Sequence, residues 1–377
     1  MGGMTKTSGP ATLSTRQLNR ALLARQLLLD RVDMPLTDAV VHLLGLQAQA
    51  PRPPYHALAA RLRGFDPAAL SALLESREVV RLVTLRSTVH LHTPADALTL
   101  RPFSAPALER ELKIFRARLA GVDLDRLVAL TRELAEPGPV SLREIGEELG
   151  REWPAHDLLA LKVAARIRVP LVQVPPRGLW GRGGQVMHAT VGSWLGAEAA
   201  ERAGADPDVG RLVLRYLAAF GPASVRDMQA WCGVTRLRPY FEELRPRLRT
   251  FRDEGGTELF DLPDAPRPAA DTPAPARFLG EFDNLTLGHA DRTRVVSDEF
   301  RRRGYRRDRA FGSFLVDGFV RGLWRVTQDD GAATMHLETF APLTRGERPE
   351  VEAEAAGVLE MLAPGSRREL RTAEARG

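Results

Sequence analysis

The chain is poor in cysteine, in lysine and in long apolar runs. Its 377 residues include one cysteine, Cys232, so an intrachain disulfide and a cysteine-cluster metal site are both excluded. No apolar run approaches the roughly 18 residues needed to span a membrane, and residues 1–10 lack the apolar core of a signal peptide. We therefore expect a cytoplasmic protein with no membrane partner, in which Cys232 is a small buried residue.

Lysine is nearly absent. Of the 53 basic residues, all but Lys6, Lys113 and Lys162 are arginine. GC-rich coding produces part of such a bias, but arginine also binds phosphate groups bidentately, which lysine does not. The formal net charge is +5, and arginines are densest in residues 236–249 and 301–309. This pattern indicates a polyanionic partner such as nucleic acid.

One pattern, helices followed by a β-hairpin, occurs three times. The second and third copies align at Pro139 and Pro222, which places Ser141 on Ser224. In both copies an acidic residue follows three positions after the serine, as in a helix capping box. Hairpins are predicted in residues 79–93, 169–188 and 248–261. Helices with a following hairpin form a winged helix, so we predict the α+β class, with three tandem winged-helix motifs and a β-rich C-terminal domain.

Domain boundaries follow from these repeats and from composition. We expect a flexible leader in residues 1–12, winged helices in residues 13–120, 121–205 and 206–262, and a proline-rich linker in residues 263–276. The β-rich domain is predicted in residues 277–365, with a two-residue hairpin turn at Asp317-Gly318 and a helix over residues 350–362. Residues 366–377 are predicted to form a flexible tail.

Two glutamines, Gln47 and Gln49, immediately precede a proline-rich stretch at residues 51–54. Proline disfavours helix at the residue before it, and Gly45 is a good C-terminal cap for a helix over residues 35–44. In an extended segment, side chains two residues apart point the same way, so Gln47 and Gln49 can direct two amide groups at one point. Taken alone, however, a Gln-x-Gln motif is typical of an ordinary polar loop.

Three separated segments together carry a specific resemblance. They are Gly45-Leu-Gln-Ala-Gln49, Arg86-Ser-Thr-Val-His-Leu-His-Thr-Pro-Ala-Asp96 and Phe282-Asp-Asn-Leu-Thr-Leu-Gly-His-Ala-Asp-Arg292. With the tandem winged helices, the chain resembles the AlkZ/YcaQ-type DNA glycosylases from about residue 13 to residue 362. The AlkZ branch carries Gln-x-Gln and the YcaQ branch Gln-x-Asp, so this chain is similar to the AlkZ branch.

The resemblance implies a bacterial, nucleoid-associated enzyme that excises alkylated purines from double-stranded DNA. Its substrates would include bulky N7-alkylguanine adducts or interstrand cross-links made by a natural product, and its roles DNA repair and antibiotic self-resistance. The resemblance assigns catalysis to Gln47 and Gln49. Their carbonyl oxygens can orient a water and direct a negative dipole at the anomeric carbon.

Neutral glutamines suffice only for a particular leaving group. Guanine alkylated at N7 is already cationic and departs as a neutral base, so no general acid is required. Because no lysine lies near the motif, we expect no Schiff-base lyase step, and hence a monofunctional hydrolase. No cofactor and no metal are expected.

Six further residues are predicted to bind DNA or line the site: Arg52, Tyr55, Arg86, His90, His92 and, in the Gly-rich hairpin, Arg182. His90 and His92 alternate with Leu91 on a predicted strand and so face one side. They could contact phosphates, line the site, or be polar residues that face solvent. His289 and Asp291 lie in a resembling segment, but we expect a structural role for them.

The alternative function is a non-catalytic winged-helix DNA-binding protein, either a transcriptional regulator or a protein that sequesters lesions or drugs. Regulators commonly dimerise on symmetric sites. Three linked modules fit a monomeric clamp better, so we expect a monomer.

Overall fold

The computed structural model describes residues 10–202, 205–302, 311–329 and 331–374. Residues 1–9 of the predicted leader, residues 375–377 of the predicted tail, and most of the arginine-rich segment 301–309 lie outside the described residues. The chain divides into two compact units. The first comprises residues 1–32, 210–230 and 236–377, and the second comprises residues 33–209 and 231–235.

The α-helices of the described residues are α1 (Thr15–Arg25), α2 (Leu36–His42), α3 (Pro53–Ala59), α4 (Pro67–Glu75), α5 (Pro94–Phe103), α6 (Ala105–Ile114), α7 (Leu124–Ala135), α8 (Leu142–Glu152), α9 (Leu158–Arg168), α10 (Val191–Leu195), α11 (Ala197–Arg202), α12 (Val209–Phe220), α13 (Val225–Cys232), α14 (Arg238–Leu244), α15 (Asn284–Leu287), α16 (Asp298–Arg302) and α17 (Glu347–Leu362).

The β-strands are β1 (Leu46–Gln47), β2 (Val80–Val83), β3 (Val89–His92), β4 (Val140–Ser141), β5 (Leu171–Val174), β6 (Met187–Thr190), β7 (Arg249–Arg252), β8 (Glu258–Asp261), β9 (Arg277–Leu279), β10 (Gly312–Val316), β11 (Phe319–Asp329), β12 (Ala332–Thr339) and β13 (Arg367–Glu374). The mixed helix and strand content confirms the α+β class, while the count of three winged helices stays a prediction.

A six-stranded sheet in the order β1-β3-β2-β5-β6-β4 organises the second unit. Its two hairpins, β2–β3 and β5–β6, confirm those predicted in residues 79–93 and 169–188. They join where Arg81 of β2 pairs with Gln173 of β5. The hairpins of two predicted modules therefore form one continuous sheet. Apolar side chains of these strands pack with α5 to form a core, which includes Val80, Leu82, Leu98 and Val172.

Local capping signals were read correctly from the sequence. Ser141 forms the predicted capping box at the start of α8, and Ser14 forms another at the start of α1. The Ser224 hydroxyl accepts a hydrogen bond from the Asp227 backbone N–H at 3.2 Å, and Asp227 accepts one from the Ser224 N–H at 2.9 Å. These bonds satisfy backbone donors that a helix start leaves unpaired, which is why the pattern predicts helix starts.

The first unit contains a five-stranded sheet in the order β13-β12-β11-β10-β9 and the separate β7–β8 hairpin. Helix α17 packs on the five-stranded sheet, where its Val351 joins Phe278, Phe314 and Trp324 in the core. The predicted turn at Asp317-Gly318 is present, with φ angles of 48° and 79° at its two residues.

The predicted flexible tail is wrong for residues 367–374. They form β13, which pairs in parallel with β12, so that Met335 lies opposite Leu370. The segment has few apolar residues and gives no strand signal of its own. Pairing with β12, whose alternate residues are buried, supplies the order.

The predicted leader also ends earlier than residue 12, because the Leu13 N–H donates to the Arg252 carbonyl at 2.8 Å and Thr12 bridges to the same residue. Residues 263–276 have no regular secondary structure, as expected of a linker. Their carbonyls nevertheless accept hydrogen bonds from arginines of α1. The bond from Arg20 Nε to the Thr272 carbonyl is 2.6 Å, and the bond from Arg25 Nη2 to the Pro266 carbonyl is 3.2 Å. The proline-rich segment therefore packs on the first unit.

Candidate active site

Gly45 brings the glutamine segment against the β2–β3 hairpin. Its N–H donates to the Val40 carbonyl at 2.9 Å and ends α2, and its φ is +88°. A β-carbon at this position would lie 2.1 Å from His92 Nδ1 and 2.8 Å from the Leu91 carbonyl oxygen. Only glycine fits both the left-handed conformation and the close approach.

The two glutamines attach to β3 in different ways. Gln47 lies on β1 opposite His90, and the Ala48 N–H donates to the Val89 carbonyl at 2.8 Å. The next residue, Gln49, lies in a bend, and its Oε1 accepts a hydrogen bond from the Val89 N–H at 3.1 Å. Gln47 is 8% exposed, Ala48 is fully buried and Gln49 is exposed. The extended segment is confirmed at Gln47, and both amides are fixed on one edge of the hairpin.

Arg86 is the principal partner of Gln47. It donates through Nη2 to Gln47 Oε1 at 2.7 Å, and the same nitrogen lies 3.4 Å from His90 Nε2. A second nitrogen, Nη1, donates to the Trp231 carbonyl. Arg86 is half-buried. The guanidinium group therefore lies between Gln47 and His90, while the role of Arg86 in binding DNA or lining the site stays a prediction.

The turn that carries Arg86 has an uncommon conformation for its sequence. Arg86 and Ser87 have φ values of 53° and 59°, and the Thr88 N–H donates to the Leu85 carbonyl at 3.1 Å. Two successive left-handed residues form a type I′ turn, which prefers Asn-Gly. Each non-glycine residue costs about 1–2 kcal/mol in this region. The conformation directs the Arg86 guanidinium back toward Gln47.

His90 and His92 face the same side of β3, as predicted, with ring centroids 5.6 Å apart and planes at 15°. They are 2% and 0% exposed, so the predictions that they contact phosphates or face solvent are wrong. His90 Nδ1 lies 3.0 Å from the Thr88 carbonyl, which only accepts, so Nδ1 is the protonated nitrogen. Burial, with the nearby charge of Arg86, holds the pKa of His90 well below its ordinary value. His90 is therefore neutral, and its role in lining the site stays a prediction.

Tyr55 is a core residue, and the prediction that it contacts DNA is wrong. It is 1% exposed, its hydroxyl donates to the Gly178 carbonyl at 2.8 Å, and its ring lies 4.9 Å from that of Trp180. Burial raises the pKa of Tyr55. Tyr55 instead holds the turn before the glycine-rich loop. Arg52 and Arg182 are exposed, and their contact with DNA stays a prediction.

A groove of about 360 Å³ begins at the Arg86 turn. It is lined by Arg86, Ser87, Ala107, Arg110, Glu111, Ile114 and Gly233. Arg110 donates to the Gly233 carbonyl at 2.9 Å, and Ile114 is 76% exposed. Arg110 and Ile114 could not be predicted from the sequence, since an amphipathic helix such as α6 gives no signal that its exposed face adjoins a site.

In residues 10–202, 205–302, 311–329 and 331–374, no group of three or more histidine, cysteine, aspartate or glutamate side chains could hold a metal ion. No helix within those ranges has both the length and the apolar character of a membrane span. Cys232 is buried, as predicted, and burial raises the pKa of its thiol to about 12.

His289 of the first unit is 2% exposed, and its Nε2 lies 3.0 Å from the Phe220 carbonyl. Burial and the nearby Arg294 lower its pKa to about 3. These contacts fit the structural role expected of His289.

The chain is similar in sequence and in fold to known proteins. Over 372 residues the chain is 25% identical to the interstrand DNA cross-link repair glycosylase of Streptomyces sahachiroi, covering 92% of this chain and 95% of that protein. The solved structure of Streptomyces sahachiroi DNA glycosylase AlkZ superposes with a TM-score of 0.77 at 22% identity, over 96% of this chain and 100% of that one, and shows a shared fold. The family model described as DNA glycosylase AlkZ-like matches residues 40–361. Since that match covers most of the sequence, the chain belongs to the AlkZ-like DNA glycosylase family.

Proposed function

We propose that this protein is a monofunctional DNA glycosylase that hydrolyses the N-glycosidic bond of cationic N7-alkylguanine. N3-alkylpurines, bulky natural-product adducts and interstrand cross-links extend the proposed substrate range, with roles in DNA repair and antibiotic self-resistance. The observation that carries the proposal is the pair Gln47 and Gln49, both hydrogen-bonded to one hairpin beside Arg86. The name of the Streptomyces sahachiroi relative supports the cross-link part of the range.

The chemistry needs little from the protein because the lesion is a good leaving group. The bond between C1′ and the purine N9 breaks, and its electron pair neutralises the positive charge of the alkylated base. A water oxygen forms the new bond to C1′ and releases its proton to solvent. The protein has to place the water and stabilise the positive charge that develops on the sugar.

The two glutamines are suited to this task because protein contacts already orient them. Gln47 Oε1 accepts from Arg86 at 2.7 Å, and Gln49 Oε1 accepts from the Val89 N–H at 3.1 Å. A carbonyl oxygen has two lone pairs, so each amide retains one acceptor position for a water. An amide that is oriented before the reaction need not reorganise during it. The roles of Gln47 and Gln49 are thus to position one water together.

The exposed side chains of Arg52 and Arg182 can contact phosphates, which supports binding to double-stranded DNA. The open groove beside Arg86 suits a bulky adduct better than a closed base pocket does. We propose that the enzyme acts as a monomer and needs no cofactor.

A panel of single-lesion duplexes tests the substrate class. Each duplex carries N7-methylguanine, N3-methyladenine, uracil or 8-oxoguanine, and base release is measured against spontaneous depurination. We expect release of the two cationic bases and none of the two neutral bases, because the site supplies no general acid. Borohydride should trap no covalent enzyme–DNA adduct. Efficient release of uracil would refute the mechanism, and a trapped adduct would refute the monofunctional assignment.

A further inference from the structure

Arg81 is a buried cation that the glutamine mechanism leaves unused. It lies on β2 and is 3% exposed. Burial lowers its pKa to about 10, and Arg177 contributes to the lowering. Within the described ranges, no carboxylate forms an ion pair with Arg81. A buried charge without an opposite charge is unfavourable unless hydrogen bonds compensate it, so the contacts of Arg81 need an explanation.

Those contacts join two segments of the second unit. Arg81 Nη2 donates to the Ala48 carbonyl at 2.9 Å, and Nη1 donates to the Arg177 carbonyl at 3.0 Å. The backbone at Gly178, with φ of +109°, lies against the guanidinium group, since a β-carbon there would be 2.6 Å from Nη1. The Nε atom is buried and has no hydrogen-bond partner.

The first of these acceptors belongs to the residue between the two glutamines. Its carbonyl lies in the peptide group that leads into Gln49, so its direction sets where the Gln49 side chain starts. The second acceptor precedes the turn that Tyr55 holds and the glycine-rich loop with Arg182. A planar guanidinium can donate to both carbonyls from two nitrogens at fixed angles, whereas a lysine ammonium carries its three N–H donors on one nitrogen.

We infer that Arg81 is a positioning residue, whose guanidinium ties the Ala48 carbonyl to the Arg177–Gly178 turn and so holds the glutamine pair in its reactive arrangement. The inference rests on the proposed function, because it concerns the geometry of that reaction. Arg81 does not touch the substrate. Replacing Arg81 should therefore slow the chemical step and change the affinity for DNA little.

Arg101 offers a matched control in the same unit. It is 6% exposed, burial lowers its pKa to about 10, and it donates to the Val83 and Ile167 carbonyls. Substitution of Arg101 removes a comparable buried guanidinium but leaves the Ala48 carbonyl bonded.

The experiment compares Arg81→Met, Arg81→Lys and Arg101→Met in the full chain on duplex DNA with one N7-methylguanine. Single-turnover rate and DNA dissociation constant are measured separately. For Arg81→Met we expect the rate to fall about 10- to 100-fold, as misplacement of a reacting group does, while the dissociation constant changes less than about threefold. Arg81→Lys should recover part of the rate. In a fourth variant, Arg81→Ala, added guanidinium should raise the rate when a matched concentration of sodium chloride does not.

Equal rates for Arg81→Met and Arg101→Met would overturn the inference, as would a loss in Arg81→Met that is confined to DNA binding. Should Arg81→Met fail to fold, Arg81→Lys decides, and an unchanged rate in that variant overturns the inference. Hydrogen exchange of residues 46–50 provides a readout without activity, and we expect faster exchange only when Arg81 is replaced. If the wild type releases no base, the proposed function fails, while unchanged exchange in Arg81→Lys would refute the role of Arg81 separately.

Discussion

Replacing Gly45 by alanine should destabilise the protein and slow base release together, because Gly45 lets β1 approach β3. An L-residue at φ of +88° costs about 1–2 kcal/mol. The new β-carbon would lie 2.1 Å from the His92 ring and 2.8 Å from the Leu91 carbonyl oxygen, so a side chain and a strand must both move. Overpacking of this kind adds about 1–3 kcal/mol, which gives a total of about 2–5 kcal/mol.

Gly64→Ala is the matched control in the same unit. Gly64 also has a positive φ, +59°, but a β-carbon there would meet nothing within 4 Å. Gly64→Ala should therefore lower the free energy of unfolding only by the backbone contribution of about 1–2 kcal/mol. Thermal unfolding and single-turnover base release are measured for both variants. An equal loss of stability in the two variants, or a wild-type rate for Gly45→Ala, would refute the role given to the close approach of Gly45 to β3.

Three further predictions concern the glutamine pair and the buried histidines. In a double-mutant cycle, Gln47→Ala and Gln49→Ala should each slow base release on the order of 10²-fold, and the double variant should lose little more, because both amides position one water. A multiplicative loss in single-turnover assays would indicate separate roles. The single-turnover rate should be flat from about pH 6 to pH 9, since neither glutamine titrates and His90 stays neutral; a bell-shaped profile would reveal a general base. Burial lowers the pKa of His56 and of His188 to about 4, from an ordinary value of 6.5. The unfolded chain therefore binds more protons than the folded chain between these values, so stability is complete above about pH 6.5 and falls toward pH 4, on the order of 2 kcal/mol per histidine by pH 5. Thermal unfolding at pH 8 and pH 5 checks this, with His188→Gln expected to reduce the difference.

Much of the fold was predictable because short-range signals specify it. The serine of a capping box and its acidic partner lie three residues apart, so the starts of α8 and α13 could be read directly. The same holds for the turn at Asp317-Gly318, where both residues need a positive φ. The pairing of β2 with β5 could not be read, since it joins residues about 90 positions apart and has no local signature. β13 was missed for the same reason, because its order depends on β12.

The candidate site, too, was only partly predictable from the sequence. The spacing of Gln47 and Gln49 is a sequence feature, and the resemblance assigns them a role. Their hydrogen-bonding partners, Arg86 and Val89, lie about 40 residues away in the sequence. Arg86 reaches Gln47 through two left-handed residues, Arg86 and Ser87, that residue preferences argue against. Tyr55 was predicted to bind DNA or line the site from its position near the motif, but its buried ring packs against Trp180, which is distant in sequence. Arg81 had no signal, since a strand arginine normally predicts an exposed side chain.

Catalysis by Gln47 and Gln49 is tested most directly on duplex DNA with a single N7-methylguanine. The duplex is incubated with the wild type or with the Gln47→Ala/Gln49→Ala double variant. Abasic sites are revealed afterwards by alkali, DNA binding is measured in parallel, and spontaneous depurination is subtracted. We expect release by the wild type, release slowed on the order of 10²-fold in the double variant, and binding by both. Equal release by the two proteins would contradict the assignment of catalysis to Gln47 and Gln49.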